Sequence, residues 1–457
     1  MLKNIDVFEN DPVPKAVFKL ALPTVLSMIV SVFYNMVDTF FVGQIGDPNQ
    51  VAAVSVATPV FLFFMAIGNI FGMGGSSFLS RALGEKKYDK AKNISSFCFY
   101  AGIAAGIIGG ILMMVFMTPI LHAVGTSDNT FGYARDYLSV IAYGGPLVVL
   151  SVAYSNLIRG EGSSQSAMKG MMAVTVANII LDPFFILPQF LGMGVVGAAV
   201  ATLLGNVVSL VFYFAHVVSK NSVMSLQPKY YKAREGIFKG VLEIGLPASL
   251  TNILMSLSNI LTNKMLVGYG DIPVASMGIA MKANMLVIFI QMGLAAGITP
   301  LVGYNFGARN FKRMKSVLKF SILVDIIAGV SLSVLYFIFT KEIISVFMKD
   351  NADVINCGVI MLRALMVSSP VMGILFILNF AFQAMGKALP SLTLAVSRQG
   401  FVFLPLIFIL NAAMGLNGVI LAQPLADYVS IVMAVCMFLY MNKGFKAEEA
   451  KAQKEQN

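Results

Sequence analysis

The sequence of 457 residues has no tryptophan, two histidines, three cysteines, and only 12% charged residues. Hydrophobic residues make up 58% of it. So little charge excludes a disordered chain, and so much apolar surface excludes a soluble globular domain. The cysteines fall in or beside apolar segments, which indicates small core residues rather than a disulfide framework, and the histidines lack metal-ligand spacing: Cys98, Cys357, Cys436, His122 and His216.

The apolar runs between the charge clusters are about 20 residues long, enough to cross a hydrocarbon layer about 30 Å thick as helices. The ten-residue alternating pattern of β-barrel strands is absent, and helices satisfy their own backbone polar groups in lipid. The leader before Lys15 is acidic and polar, unlike a cleaved signal peptide. We therefore predict an all-α integral membrane protein with 12 transmembrane helices starting near residues 16, 51, 95, 136, 167, 195, 240, 274, 316, 357, 391 and 416.

Basic residues concentrate on one predicted side of the membrane. When alternate loops are assigned to that side, it receives 26 of the 32 Lys and Arg residues. Because positive charge marks the cytoplasmic face, we predict a multi-pass membrane protein with both termini cytoplasmic. The net charge of +10 therefore reflects topology, and no nucleic-acid partner is predicted.

The second half of the chain repeats motifs of the first half at a nearly constant spacing. Five motif pairs in the same order indicate duplication of a six-helix unit, and an even number of spans makes the copies parallel repeats related by a pseudo-twofold axis along the membrane normal. The predicted domains are an N-terminal six-helix lobe (1–219), a cytoplasmic loop (220–239), a C-terminal six-helix lobe (240–443) and a cytoplasmic polar tail (444–457). Among the pairs are "LALPTVL" with "IGLPASL" and "RGEGSSQSAM" with "QAMGKALPSL".

Two acids stand inside spans of the first lobe. Asn178 and Asp182 are four residues apart in "NIILDPFF", so they share a helix face, and Tyr34 stands likewise four residues before Asp38. Pro183 frees a backbone carbonyl in the preceding turn. Carboxylate, amide and hydroxyl oxygens suit a hard cation such as Na⁺, or a shared proton. The alternatives are that Asp182 braces a proline-broken helix and that Asp38 snorkels to the outer interface.

The chain resembles the multidrug and toxic compound extrusion (MATE) family over nearly its whole length, closest to the MepA-like and DinF-like branches. The resemblance rests on the duplication, a Leu-Pro near the start of each lobe, "YNMVDTFFVG", "NIILDP" and "GAAVAT". It implies that Asp38, Asn178, Asp182 and Thr202 form the ion-coupling site for Na⁺ or H⁺, although a back-bonded hydroxyl is an equal alternative for Thr202. It also implies that the first helix bends at Pro23 with the charge state of Asp38.

The second lobe departs from the vibrio-type branch of the family, which carries acids in spans 7 and 10. The corresponding stretches here contain no Asp or Glu, so we expect the coupling chemistry in the first lobe only. Asp325 and Asp427 also lie inside predicted spans, and we interpret both as packing or interface residues. No role is predicted for Lys264 or Lys282.

The expected function is a secondary active efflux antiporter that exports amphiphilic, often cationic compounds in exchange for Na⁺ or H⁺. It is predicted to be a monomer with no cofactor beyond the coupling ion. The 29 methionines and 35 phenylalanines offer adaptable apolar surface. The predicted substrate cavity contains Tyr34, Asn35, Asn156, Met255, Asn259 and Asn379.

Two other functions compete with this one. A flippase or exporter of lipid-linked or other amphiphilic metabolites is the first, and Lys264, Lys282 and Arg363 keep it open because such proteins tend to have basic cavities. A membrane-embedded enzyme is the second. No HExxH, phosphate-binding glycine loop or paired Asp-rich motif is present, so we predict that the protein is not an enzyme.

Overall fold

The computed structural model describes the backbone of residues 3–232, 236–348 and 351–456, and their side chains except at 3–4, 38–39 and 446–456. The described residues form helices and no β-strand. The helices of the first half are α1 (Lys3–Glu9), α2 (Val13–Gly43), α3 (Pro48–Gly84), α4 (Tyr88–Val115), α5 (Met117–Ala123), α6 (Asp128–Tyr143), α7 (Gly145–Gly160), α8 (Ser164–Ile186) and α9 (Gly194–Val218).

The second half follows the same order. Short α13 follows α12 as short α5 follows α4, and a π-helix (Ser397–Phe401) separates α15 from α16. The helices are α10 (Ile237–Val267), α11 (Asp271–Gly307), α12 (Phe311–Ile338), α13 (Thr340–Phe347), α14 (Ala352–Ala384), α15 (Ala388–Val396), α16 (Phe403–Met414) and α17 (Leu416–Gln456).

Eleven helical segments of the described chain are long and apolar enough to cross a membrane when α15, the π-helix and α16 count as one segment (Ala388–Met414). A twelfth span results if α6 and α7 count as one. This confirms the predicted fold class. Large apolar side chains such as Ile108, Val211 and Ile327 remain exposed on these helices, as lipid-facing residues do. The sequence analysis missed α1, whose Phe8 is fully buried and lies against Gly162.

The fourth span is broken in the first half and continuous in the second. Helices α6 and α7 meet at a bend of 59°. The chain there reads Gly144-Gly145-Pro146, whereas the matching residues of α14 are Ser368, Ser369 and Pro370. Both prolines lack the N–H that a continuous helix needs, but only the first follows two glycines, which adopt a sharp turn more readily.

Packing divides the chain into two compact units at other places than the sequence repeat does. The first unit comprises residues 1–10 and 26–249, and the second comprises 11–25 and 250–457. The boundary at 10/11 lies between α1 and α2, whereas the other two boundaries fall inside helices, shortly after Pro23 in α2 and after Pro247 in α10. These two prolines belong to the matching Leu-Pro motifs, so both copies of the repeat are divided at the same position.

The segment after α9 is fixed to the first unit by hydrogen bonds. Glu161, which is buried at the end of α7, accepts hydrogen bonds from Ser222 Oγ at 3.0 Å and from the backbone N–H of Val223, and it pairs with His216 at 3.2 Å. Ser95 of α4 exchanges two hydrogen bonds with the backbone of Ser225. The first part of the inter-lobe loop is therefore packed against the first unit.

Candidate functional site

The predicted site residues of α8 lie on one buried face of that helix. Thr175, Asn178, Asp182 and Ile186 recur every three to four residues and are all buried, while Ile179 and Ile180 are exposed. Asp182 is 0% exposed and Asn178 is 2% exposed. The helix continues through Pro183, so the proline leaves the acid inside a regular turn.

The buried face of α8 packs on small residues of α9. A Cβ atom added to Gly205 would overlap Asn178 Oδ1, and one added to Gly197 would overlap the Phe185 carbonyl. Asp182 lies between these two levels of the antiparallel pair, which places it opposite the buried Ala201. Glycine and alanine at these positions let the helices approach closely, so the polar side chains of α8 are enclosed by backbone.

The Asn178 amide has spare hydrogen-bonding capacity. Its Oδ1 atom is buried and receives no hydrogen bond from the described residues. A buried carboxylate such as Asp182 is costly in an apolar interior unless a proton or a cation neutralises it. Asn178 and Asp182 thus offer oxygen atoms one turn apart within the membrane-spanning region.

The other two predicted ligands are less closely defined. Thr202 follows Ala201 in α9 and is half-buried, and its carbonyl accepts a hydrogen bond from Asn206 Nδ2 at 2.8 Å. Asp38 lies in α2, but its side chain is outside the described part of the structure. Both belong to the first packing unit, as Asn178 and Asp182 do.

Sequence reasoning missed a polar ladder that continues from Thr202 along α9. Ser209 Oγ donates to the Asn206 carbonyl at 2.8 Å and lies 2.8 Å from Ser151 Oγ on α7. The spacing of Thr202, Asn206 and Ser209, three to four residues apart in an apolar span, is the signal that predicts a shared polar face. The ladder joins the face of α9 near the site to α7.

The predicted cavity residues divide between the two packing units. In the first unit Tyr34 and Asn156 are half-buried and Asn35 is exposed. The Asn35 and Asn156 amides each donate to a carbonyl one turn earlier in their own helices. In the second unit Asn259 is exposed, while Met255 and Asn379 are half-buried, and Asn379 Oδ1 accepts from Ser391 Oγ at 2.9 Å.

Asp427 on α17 matches its interpretation as a packing residue. Its carboxylate accepts hydrogen bonds from Arg398 Nε at 2.9 Å, Gln423 Nε2 at 2.9 Å and Ser368 Oγ at 3.0 Å. Arg398 stands in the π-helix, which aims it at α17. The network neutralises the acid and fastens α14, α17 and the π-helix together.

The basic residues on which the flippase alternative rests do not form a buried cluster in either unit. Lys264, Lys282 and Arg363 are all exposed. Arg363 donates to Thr340 Oγ1 at 3.4 Å and to the Phe337 carbonyl at 3.5 Å. In the described chain, the buried ionisable groups of α8 and α12 are acids, which favours cationic ligands over phosphates.

Two homologous sets of membrane-spanning helices with acids buried inside them are typical of membrane transporters. The MatE family model matches residues 23–184 and again residues 247–409, and each match begins at the proline of a Leu-Pro pair. The chain therefore belongs to the MatE family, the multidrug and toxic compound extrusion transporters. The double match also confirms the internal duplication.

Individual relatives agree with this assignment. The chain is 32% identical to a multidrug export protein MepA of Staphylococcus saprophyticus over 97% of both chains. It is 33% identical to a multidrug export protein MepA of Staphylococcus aureus over 95% of both. A solved outward-facing multidrug resistance MATE family transporter of the MOP superfamily is 26% identical, with a TM-score of 0.90, over 98% of this chain and 99% of that one.

Proposed function

We propose that this protein is a multidrug efflux antiporter that exports amphiphilic, often cationic compounds in exchange for Na⁺ or H⁺. The staphylococcal relatives, named as multidrug export proteins, support the substrate class. The observation that carries the mechanism is the enclosure of Asn178 and Asp182 between α8 and α9. Coupling requires no cofactor beyond the ion itself.

In this proposal Asp182 and Asp38 hold the coupling ion. A Na⁺ ion would take oxygen atoms of Asp182, Asn178, Asp38 and Thr202, whereas a proton would reside on one of the carboxylates. Either ion removes a negative charge from the interior of the first unit. The same negative charge attracts a cationic drug, so the ion and the drug compete for it.

The conformational link in the proposal is helix α2. Pro23 has no N–H to donate to the Lys19 carbonyl, so α2 can bend there at small cost. While Asp38 is charged, α2 stays straight and leaves room for a cationic drug; when Asp38 is neutralised, α2 leans in and the drug site shrinks. Drug and ion then weaken each other's binding by the same factor.

The proposed setting is the cytoplasmic membrane of a prokaryote, with both termini and the 220–239 loop in the cytoplasm and a monomer as the working unit. The charge distribution supports the orientation, since 26 of 32 basic residues fall on that side. With this orientation, inward movement of the ion drives outward movement of the drug.

Efflux from sealed vesicles tests the proposal. Purified protein would be reconstituted with a fluorescent lipophilic cation, and a Na⁺ or proton gradient would be imposed singly. We expect one or both gradients to drive transport, and Asp182→Asn to abolish it while the variant still folds. Transport by wild type under neither gradient, or undiminished transport by Asp182→Asn, would refute ion coupling through α8.

A further inference from the structure

Asp325 is a further buried acid of the membrane-spanning helices, and its surroundings differ from those of Asp427. Asp325 stands in the middle of α12, within the second packing unit, and is 0% exposed. Neither carboxyl oxygen has a hydrogen-bond partner among the described residues. The three nearest atoms to a Cβ added at Gly373 of α14 all belong to this carboxyl group, so Asp325 is pressed against the α14 backbone.

Two hydroxyl groups near Asp325 also lack partners. Ser321 precedes Asp325 by one turn of α12, and Ser369 precedes Gly373 by one turn of α14. Both Oγ atoms are buried and have no hydrogen-bond partner in the described chain. The nearby Gln291 amide of α11 donates to the Ser369 carbonyl at 2.7 Å, which leaves the Ser369 hydroxyl unused.

No charged side chain of the described helices neutralises Asp325. Helices α11, α13 and α14 pack against α12. Phe18 of α2 also contacts Phe320 of α12, and the two lysines of α2 in this unit, Lys15 and Lys19, are exposed. Arg363 of α14 is occupied at Thr340. Lys282 of α11 is exposed and stands next to Ala283, whose carbonyl accepts from Tyr336, about 16 Å along α12 from Asp325.

The other charged groups on helices α11 to α14 are exposed or stand near the start of α12. Arg313 and Lys315 are half-buried in its first two turns, more than two turns before Asp325. The exposed ones are Asp271, Lys312, Lys319, Lys341, Glu342 and Asp353. Within the described chain, the surroundings of the Asp325 carboxyl group are therefore uncharged.

The first repeat shows that this position does not need an acid for packing. When "ALGEKKYDKAK" is aligned with "NFGARNFKRMK", Gly102 of α4 matches Asp325, and when "RGEGSSQSAM" is aligned with "QAMGKALPSL", Val149 of α7 matches Gly373. A Cβ added to Gly102 would lie 3.7 Å from Val149 Cγ1, an ordinary apolar contact. In the second repeat the sizes are reversed. The larger residue of the pair, Asp325, lies on α12, and the glycine lies on α14.

We propose that Asp325 is a proton-binding site in the second unit, which carries a proton as the neutral acid and exchanges it during the transport cycle. An ionised carboxylate enclosed without a partner is strongly disfavoured in an apolar interior, and the tight contact with Gly373 leaves a proton as the ion that fits. On release, the carboxyl O–H bond breaks, the proton passes to water, and the Ser321 and Ser369 hydroxyls donate to the carboxylate. The exchange rests on the proposed antiport, but occupancy by a proton does not.

Infrared spectroscopy of the purified protein tests occupancy without any transport. At neutral pH the wild type should show the C=O stretching band of a protonated carboxylic acid, and Asp325→Asn should lose that component. Asp427→Asn is the matched control, because a salt-bridged carboxylate contributes no such band. An identical carboxylic-acid region in wild type and Asp325→Asn would overturn the proposal, whether or not Asp182 couples transport.

A swap variant tests exchange and guards against misfolding. Asp325→Gly combined with Gly373→Val restores the pair of the first repeat, Gly102 with Val149, and should fold. We expect proton-driven efflux by this variant to fall at least about tenfold, and its protein should lack the infrared component. Wild-type efflux and wild-type pH dependence in the double variant would show that Asp325 is only a packing residue. Loss of all efflux in wild type as well would instead refute the proposed antiport.

Discussion

At the scale of single residues, burial of an acid has opposite meanings at different places in this protein. Asp427 is surrounded by three donors, whereas Asp325 has none among the described residues. Asn178 is an amide whose Oδ1 atom lies against Gly205 and accepts no hydrogen bond from the described residues. Hydrogen-bond partners therefore distinguish an acid that fastens helices from one that is proposed to bind an ion.

Gly205→Ala tests the enclosure of Asn178. The new methyl group would overlap Asn178 Oδ1 and push the amide away from Asp182. We expect the affinity for the coupling ion to fall by about tenfold or more, because a contact to a charged group contributes about 1.5–3 kcal/mol. The measurement is a Na⁺ and pH titration of fluorescent-drug binding to purified protein.

Gly132→Ala is the control for that variant. Gly132 lies in α6 of the same packing unit, is exposed, and has nothing within 4 Å of an added Cβ. Its titration should match that of wild type. If Gly205→Ala also titrates like wild type, Asn178 has no part in ion binding.

At the scale of elements, α2 and α10 are the helices that both packing units share. In each helix a proline shortly precedes a boundary between the units. That boundary lies between residues 25 and 26 in α2 and between residues 249 and 250 in α10. The helices differ beyond their prolines, because α2 contains Asp38 and α10 contains no acid after Pro247. The proposed link between ion and drug therefore belongs to α2 alone.

Pro23→Ala should uncouple drug binding from the ion. Alanine restores the N–H that donates to the Lys19 carbonyl, and an interior proline costs a helix about 3 kcal/mol, so the straight form gains stability. We expect drug affinity in this variant to lose most of its dependence on Na⁺ and pH, measured by equilibrium fluorescence. Pro247→Ala should keep that dependence. Equal behaviour of the two variants would contradict a specific role for α2.

At the scale of the whole molecule, the orientation in the membrane sets the direction of transport. Labelling needs exposed positions, and in the inter-lobe loop Ser225 is half-buried and hydrogen-bonded to Ser95. Lys229 lies in the same inter-lobe loop and is exposed, and Asn129 is exposed at the start of α6. These two residues should lie on opposite sides of the membrane.

Cysteine labelling in intact cells checks that orientation. In a background without the native cysteines, Lys229→Cys should resist an impermeant thiol reagent until the cells are permeabilised, whereas Asn129→Cys should react at once. The reverse pattern would invert the topology and with it the direction of export.

Much of the architecture could be predicted from the sequence because the signals are local. Apolar length predicts each span, and a repeat of Leu-Pro and Gly-rich motifs predicts the duplication, which the double family match confirms. The same reasoning missed α1, since so short a helix carries too little pattern, and it placed the lobe limits by the repeat rather than by packing.

The candidate site also has features that the sequence predicts and features that it does not. Spacing alone puts Asn178 and Asp182 on one face of α8, because four residues nearly complete a helical turn. What lies opposite that face depends on residues far along the chain. Gly205 against Asn178 and Gly373 against Asp325 are contacts between helices, and no local pattern predicts them.

The sequence by itself determined a duplicated membrane transporter with acids inside its spans, because hydrophobic length, charge asymmetry and repetition are properties of the chain. Only the tertiary structure decided which partners each acid has. In the sequence, Asp325 and Asp427 look alike, each a lone carboxylate in an apolar span. Folding brings the donors of Arg398, Gln423 and Ser368 to Asp427, whereas Asp325 lies against the backbone at Gly373 without a hydrogen-bond partner among the described residues. Hydrogen bonds across helices depend on which helices pack together.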